Sequence, residues 1–239
     1  MPPQVITYPD PTTTIQAAAE LFLREALQAI ADKGRFSVSL SGGSTPRALY
    51  ELLAEPHYAA QVDWSRVDFF WGDERCVPPD HPDSDYGMAK TALLDRLPAY
   101  ASPQIYRFEG ELQPEVAANR YGKALRNYFG DDPKQSFDLL LLGLGEDVHT
   151  ASLFPGTQPI HETSRWAVAH YVPKLSAWRL TLTPPILNLA RTTVFLVTGA
   201  AKLPALKHLL YSSYAPDEYP AQIIQPTNER LLVLTDQTV

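Results

Sequence analysis

The sequence predicts an α/β protein: a doubly wound, mostly parallel sheet with helices on both faces, forming a single domain over residues 1–239. Short apolar segments alternate with amphipathic stretches, which is typical of repeated β–α–β units. Several apolar segments are unbroken, as strands buried on both faces are. The chain of 239 residues is long enough for one sizeable core, and no repeat or linker divides it.

The composition argues against several classes of protein. Hydrophobic residues make up 45% of the chain and charged residues 20%, which is ordinary globular composition. A net charge of −7 provides no basic surface for nucleic acid, and no apolar run is long enough to span a membrane. Cys76 is the only cysteine, and the first residues lack the pattern of a secretory signal. We therefore expect a cytoplasmic protein that binds neither nucleic acid nor membrane.

The first half of the chain predicts two helices and two strands. Apolar residues recur at helical spacing over residues 14–33, and Gly34 follows where a C-terminal cap belongs. Phe36–Leu40 is predicted as a strand, and a glycine-rich turn leads from it into a helix that Pro46 opens. The second strand is predicted at Val67–Trp71.

The second half continues the alternation. Strands are predicted at residues 138–142, 179–183, 193–198 and 231–234. Helices are predicted at residues 114–129 and 202–211. Ligands of open parallel sheets bind beyond the carboxyl ends of the strands, so the polar residues that follow each strand are the candidate site residues.

The glycine-rich turn is a candidate phosphate site. It contains Gly42, Gly43, Ser44 and Thr45, and Arg47 follows in the helix. Free N–H groups and the dipole at a helix N-terminus favour an anion. A plain strand-to-helix turn with Thr45 as N-cap explains this segment equally well.

Three charged residues, Asp73, Glu74 and Arg75, directly follow the second strand. Charges in this position favour a role at the strand end, although an exposed turn with an internal ion pair has the same pattern. The acidic stretch at residues 80–87 does not have the spacing of a calcium loop, and Ser84 is predicted as a helix N-cap. We therefore predict no metal site.

The segment after residues 138–142 gives the strongest indication of catalysis. Asp147 and His149 lie two positions apart beyond two glycines, so both side chains can face one cleft. A carboxylate beside an imidazole orients the ring and raises its basicity, which suits a general base. The glycines also match the start of a dinucleotide-binding motif, but Pro155 comes too early for its helix and we predict no NAD binding.

Arg179 and Lys202 are candidate phosphate ligands. Arg179 opens a predicted strand, and Lys202 follows a strand and a turn of small residues. An acidic protein needs a local group of basic side chains to bind an anion, and these two residues with the glycine turn would form one. Each alone also has the pattern of a surface cation.

Together these segments resemble the 6-phosphogluconolactonase family, in the family's order and over residues 36–210. They are SGGSTP (41–46), WGDER (71–75), GLGEDVHTASLFPGT (143–157), RLTLTPPILNLA (179–190) and VFLVTGAAK (194–202). The resemblance implies a hydrolase without cofactor or metal that converts 6-phosphoglucono-δ-lactone into 6-phosphogluconate in the oxidative pentose phosphate pathway. The implied ligand is a phosphorylated sugar lactone, and weak association with the preceding dehydrogenase is left open.

The resemblance also implies roles for the candidate residues. His149 would be the general base, Asp147 its partner and Arg75 a cation facing the reacting lactone. The remaining candidates would bind the substrate, mostly around its phosphate: Gly42, Gly43, Ser44, Thr45, Arg47, Asp73, Glu74, Arg179 and Lys202.

The chain departs from the family pattern at Val148, where glycine is usual, and at Asp85, where asparagine is common. A β-branched side chain disfavours positive φ. We therefore expect either a β conformation at Val148 or an altered site.

The residues leave two other functions open. Glucosamine-6-phosphate deaminases have a similar glycine turn and Asp-x-His pattern, but they carry a catalytic Glu soon after the His, and residues 150–155 contain none. A non-catalytic sugar-phosphate sensor would keep the phosphate site and lose turnover. Binding without hydrolysis would identify the sensor.

Overall fold

The computed structural model describes residues 3–98, 101–130, 134–227 and 230–239. Within these ranges the strands are β1 Gln4–Thr7, β2 Phe36–Leu40, β3 Val67–Trp71, β4 Asp73–Arg75, β5 Gln104–Ile105, β6 Leu139–Leu142, β7 Ala167–Val172, β8 Ala177–Leu182, β9 Thr192–Val197 and β10 Leu231–Thr235. The α-helices are α1 Pro11–Lys33, α2 Ser44–Leu53, α3 Pro56–Ala59, α4 Asp85–Ala92, α5 Pro114–Phe129, α6 Pro184–Leu187 and α7 Leu203–Tyr211. None of these helices is long and apolar enough to cross a membrane.

The main sheet is parallel throughout and has the order β1-β10-β9-β6-β2-β3-β5. The chain builds outward from β2 through β3 to β5 on one side and from β6 through β9 to β10 on the other, where the first strand of the chain, β1, forms the edge. The direction of winding therefore reverses between β2 and β6. This confirms the predicted α/β class, and such a reversal leaves a crevice at the carboxyl ends of the two strands.

The central strands are buried on both faces, which explains their unbroken apolar sequences. Every residue of β2, β3, β6, β9 and β10 is buried. Aromatic rings fill the space beside them, and Phe22 of α1 packs edge-on against Phe36 with ring centroids 5.3 Å apart. Each large apolar side chain buried in this way stabilises the fold by about 1.5–3 kcal/mol.

Helix α1 begins three residues before its predicted start. The Asp10 side chain accepts a hydrogen bond from the Thr13 amide at 2.7 Å, and Pro11 occupies the first turn. At the other end, Gly34 has φ 82° and donates its N–H to the Ile30 carbonyl at 2.9 Å. The C-terminal cap was therefore predicted correctly, while the acidic N-cap lay outside the apolar pattern.

A second, antiparallel sheet was not predicted. It has the order β4-β8-β7, and its strand β8 contains residues 179–182 of the segment 179–183 that was expected to form a further strand of the fold. Gly72 joins it to the main sheet, because its N–H donates to the Leu40 carbonyl and its carbonyl accepts from the Leu182 N–H. The small sheet thus continues directly from β3 and carries its own charged residues to the edge of the crevice.

Candidate active site

A cavity of about 240 Å³ opens at the carboxyl ends of the main-sheet strands. Its walls are the turns that follow β2, β3, β6 and β9, so the position of the cavity follows from the reversal of the sheet. Eight of the predicted site residues line it: Gly42, Gly43, Ser44, Thr45, Asp73, Arg75, His149 and Lys202.

An adjoining cleft shares several of these side chains and contains two more predicted residues. Asp147 and Arg179 line this cleft, together with Lys174 from the turn between β7 and β8. His149, Arg75 and Lys202 border both spaces. The structure therefore brings the predicted base and its partner together with the predicted cations.

The Asp147–His149 pair is formed by a tight turn. Asp147 Oδ1 lies 2.5 Å from His149 Nδ1, and the turn closes through a 2.8 Å hydrogen bond from the Gly145 N–H to the His149 carbonyl. A Cβ on Gly145 would lie 2.0 Å from His149 Nδ1, so only glycine leaves room for the ring. The ring of Phe154 stacks on that of His149, and the two ring centroids lie 4.3 Å apart.

Asp147 uses both carboxylate oxygens. Oδ1 contacts His149, and Oδ2 accepts a 2.7 Å hydrogen bond from Lys174 Nζ. The hydrogen bond to His149 holds the pKa of Asp147 well below its usual range; burial opposes this shift, and Lys174 adds to it. A charged Asp147 accepts from Nδ1–H, so the neutral imidazole has its lone pair on Nε2. The side chain of His149 is 31% exposed, which gives a reactant access to it.

Val148 adopts the left-handed conformation despite its β-branched side chain. Its φ is 60°, and the side chain is buried. Its carbonyl accepts a 2.9 Å hydrogen bond from the Ala221 N–H, which fixes the turn against the neighbouring loop. Of the two alternatives expected for Val148, the β conformation is therefore wrong, and the tertiary contacts of the turn override the local preference.

Arg75 is held by backbone and side-chain oxygens from the start of α4. Its Nη1 donates to the Asp83 carbonyl at 2.5 Å and lies 3.1 Å from Asp85 Oδ1. Burial alone would lower the pKa of Arg75, but the charges of Asp85 and Asp73 offset this and raise it. Burial, followed by the charge of Asp73, raises the pKa of Asp85 well above its usual range. A Cβ on Gly42 would lie 1.9 Å from Asp85 Oδ1, so this turn also requires glycine.

Two arginines lie opposite each other in the small sheet. Arg75 of β4 and Arg179 of β8 are directly paired residues of the antiparallel ladder. Burial, and then the charge of Arg75, lower the pKa of Arg179. Like charges directly opposite each other destabilise a sheet, and an anion bound beside them would relieve the repulsion.

The glycine turn places the start of α2 at the cavity. Gly43 has φ 104° and precedes the first helical residue, Ser44, and no side chain caps this helix end. Thr45 is therefore not the N-cap, and its hydroxyl instead lies 2.7 Å from that of Thr198. Lys202, which borders the same cavity, forms no salt bridge with any residue in the described ranges.

Two predicted substrate contacts lie elsewhere. Alternation along β4 turns Glu74 away from Asp73 and Arg75, and its buried carboxylate is saturated by hydrogen bonds from Arg75 N, Ser84 Oγ, Asp85 N and Tyr86 N. Arg47 points outward along α2 and pairs with Glu51 at 2.9 Å. Neither residue lines the cavity or the adjoining cleft, so the structure does not support the expected contacts.

Sequence reasoning missed Lys174 and Thr198 and assigned no role to Asp85. Lys174 lies in a short turn of the unpredicted sheet, so no motif marked it. Thr198 lies at the carboxyl end of β9, and the rule that strand ends carry the site could have identified it. In the described part of the chain, no group of three or more His, Cys, Asp or Glu side chains is placed to hold a metal ion.

The chain belongs to the family of glucosamine-6-phosphate isomerases and 6-phosphogluconolactonase, whose model matches residues 9–233. The 6-phosphogluconolactonase of Nostoc sp. is 40% identical over 233 residues, which cover 95% of this chain and 92% of the relative. The human 6-phosphogluconolactonase is 39% identical over 224 residues, covering 92% and 86%. The solved structure of 6-phosphogluconolactonase from Trypanosoma brucei has a TM-score of 0.84 at 28% identity, covering 98% of this chain and 95% of that one.

Proposed function

We propose that this protein hydrolyses 6-phosphoglucono-δ-lactone to 6-phosphogluconate, with His149 as general base. The observation that carries the proposal is the 2.5 Å contact between Asp147 Oδ1 and His149 Nδ1. The His149 ring borders a cavity that is also lined by the uncapped start of α2 and by Lys202. The family membership and the names of the relatives support the same substrate.

The substrate phosphate binds at the first amides of α2, next to Ser44 and Lys202. A helix N-terminus and an ammonium group complement a phosphate. The lactone ring then extends toward His149. Arg179 adds positive charge from the adjoining cleft, which assists an anionic substrate in a protein whose net charge is −7.

His149 Nε2 removes a proton from a water molecule as the water oxygen attacks the lactone carbonyl carbon. The carbonyl electrons move to the oxygen, and Arg75 stabilises this oxyanion. When the intermediate collapses, the bond between the carbonyl carbon and the ring oxygen breaks. The imidazolium returns its proton to the released ring oxygen, which becomes a hydroxyl group. The product carries a new carboxyl group, which ionises at neutral pH.

We place this reaction in the cytoplasm and in the oxidative pentose phosphate pathway. The location rests on the presence of one cysteine in the whole chain, Cys76, since proteins of oxidising compartments commonly rely on disulfides. The pathway follows from the proposed substrate.

The first test replaces His149 by Gln. General-base assistance typically contributes about 10²–10⁴-fold to the rate, so His149→Gln is expected to lose turnover by that factor while still binding 6-phosphogluconate. Asp147→Asn is expected to lose less, because Asp147 only orients and polarises the ring. Hydrolysis is followed on freshly made lactone against a reaction without enzyme, since the substrate also hydrolyses spontaneously.

His57→Gln serves as the matched control, because His57 is exposed on α3 and lines neither the cavity nor the adjoining cleft. A rate near that of the wild type in His149→Gln would refute the assignment of the base. Wild-type protein that binds 6-phosphogluconate without hydrolysing the lactone would identify a sensor. Release of ammonia from glucosamine 6-phosphate would instead identify a deaminase.

A further inference from the structure

Lys174 extends from the small sheet and contacts Asp147, the partner of the proposed base. It lies in the 3₁₀ turn Pro173–Leu175 between β7 and β8, and Ser176 closes this hairpin with φ 49°. From there its ammonium group contacts Asp147 Oδ2 at 2.7 Å, while Asp147 Oδ1 lies 2.5 Å from His149 Nδ1. The carboxylate thus bridges a cation from the small sheet and the imidazole from the main sheet.

Other charged groups face His149 across the same cleft, so the role of Lys174 depends on its specific contact. These groups come from β4, from β8 and from the turns after β6 and β9: Asp73, Arg75, Glu146, Asp147, Arg179 and Lys202. Among the described residues, Lys174 forms the only salt bridge to Asp147 besides that of His149. Removal of the Lys174 charge therefore directly changes the electrostatic environment of Asp147, the partner of His149.

We propose that Lys174 is a positioning residue for the lactonase reaction, acting on His149 through Asp147; this inference rests on the proposed function. A carboxylate shared with an ammonium group stabilises the imidazolium less than an unshared one does. The charge of Lys174 therefore acts on the ring through the carboxylate that the two side chains share. The same contact fixes the Asp147 carboxylate and holds the β7–β8 hairpin against the turn that carries the base.

The test compares Lys174→Met with Lys174→Arg. The Met variant keeps much of the side-chain bulk and loses the charge, so the acid midpoint of kcat/KM is expected to rise by roughly half a pH unit, a modest shift because the Lys174 side chain is 68% exposed and solvent screens its charge. Lys174→Arg is expected to keep the wild-type midpoint. Lys207→Met is the matched control, since Lys207 is exposed on α7 and borders neither space.

Titration of the His149 ring by NMR gives a readout that needs no substrate. The midpoint of this titration is expected to rise in Lys174→Met and to stay unchanged in Lys174→Arg and Lys207→Met. The signal is assigned to His149 by its loss in His149→Gln. An unchanged midpoint in folded Lys174→Met would overturn the proposal. So would a rise in KM alone, which would make Lys174 a direct substrate contact.

The proposed function and the role of Lys174 can fail separately. Wild-type protein without lactonase activity would refute the function, and the His149 titration would still show whether Lys174 tunes the ring. Active wild-type protein with identical acid midpoints in all variants would keep the function and overturn the role of Lys174.

Discussion

His149 reaches the cavity because Gly145, four residues earlier, has no side chain. The 2.8 Å hydrogen bond between their backbones brings the two residues together, and the ring then occupies the space where a Cβ of Gly145 would lie. A second position of this turn, Val148, has the left-handed conformation that favours glycine, with φ 60°. One glycine is thus required by space, whereas the other position tolerates a side chain at a conformational cost.

Replacing Val148 by Gly tests that cost. The left-handed conformation costs a β-branched residue about 1–2 kcal/mol, and this strain would be relieved. The variant also loses a buried side chain, worth about 1.5–3 kcal/mol, and gains chain entropy in the unfolded state. We expect a net loss of roughly 1–2 kcal/mol in the free energy of unfolding, measured with urea, and unchanged or higher kcat/KM.

Val148→Ala is the comparison variant, because it loses most of the buried side chain and keeps part of the left-handed penalty. A large loss of activity in folded Val148→Gly would show that the valine side chain positions the turn. Greater stability in the Gly variant than in the wild type would show that strain exceeds burial at this position.

Single residues could be predicted where the chemistry is local. Asp147 and His149 were placed in one cleft from their spacing and the glycines before them, and the structure puts them 2.5 Å apart. Lys174 could not be predicted, because its contact depends on how two sheets meet. The direction of Glu74, away from the cavity and into the protein, was also hidden, since Asp73, Glu74 and Arg75 had not been recognised as a strand with alternating faces.

Among the elements, α4 depends on a residue outside it. Glu74 of β4 accepts hydrogen bonds from the backbone N–H groups of Asp85 and Tyr86, both at 2.8 Å, and from the Ser84 hydroxyl at 3.0 Å. Burial raises the pKa of Glu74 even though these donors oppose the shift. The same helix start supplies Asp85 to Arg75, so the buried carboxylate supports the site without facing it.

Glu74→Gln is expected to lower the free energy of unfolding by about 1–3 kcal/mol. The amide NH₂ must face at least one of the donors that the carboxylate now satisfies, which leaves buried donors unpaired. Chemical unfolding measures the loss, with Glu20→Gln, on the exposed face of α1, as the control. Stability within about 0.5 kcal/mol of the wild type would show that the helix start has other support. A selective loss of turnover at full stability would instead indicate that Glu74 takes part in substrate binding or in the reaction.

The buried central strands of the parallel sheet were predictable, whereas β4 and β7 of the small sheet were not. Phe36–Leu40 and Val67–Trp71 match the predicted bounds, because burial on both faces makes such strands uniformly apolar. In contrast, β4 is a short charged segment and β7 contains exposed and partly exposed positions. Their strand conformation comes from pairing with β8, which is a long-range interaction that local pattern does not encode.

The whole molecule is acidic, yet its crevice gathers basic groups. The net charge is −7, while Arg75, Lys174, Arg179 and Lys202 all border the cleft beside His149. These cations come from the small sheet and from the turn after β9, so only the assembled fold concentrates them. An anionic ligand is therefore expected to stabilise the native state over the unfolded chain, in which the group is dispersed.

Heat denaturation with ligands tests this expectation for the intact protein. 6-Phosphogluconate at about 100 times its Kd is expected to stabilise the fold by about 2.7 kcal/mol, which raises Tm by several degrees for a chain of this size. Unphosphorylated gluconate at the same concentration is expected to protect far less.

Lys202→Ala removes an ammonium group that borders the cavity and should lose most of the protection, whereas Lys207→Ala, at a residue that borders neither space, should keep it. Because anions such as phosphate also stabilise proteins without binding to a site, the difference between these two variants measures the specific effect. Equal protection by gluconate and 6-phosphogluconate, or equal protection of both variants, would show that the phosphate does not bind at the start of α2. Another position in the crevice would then be needed for it.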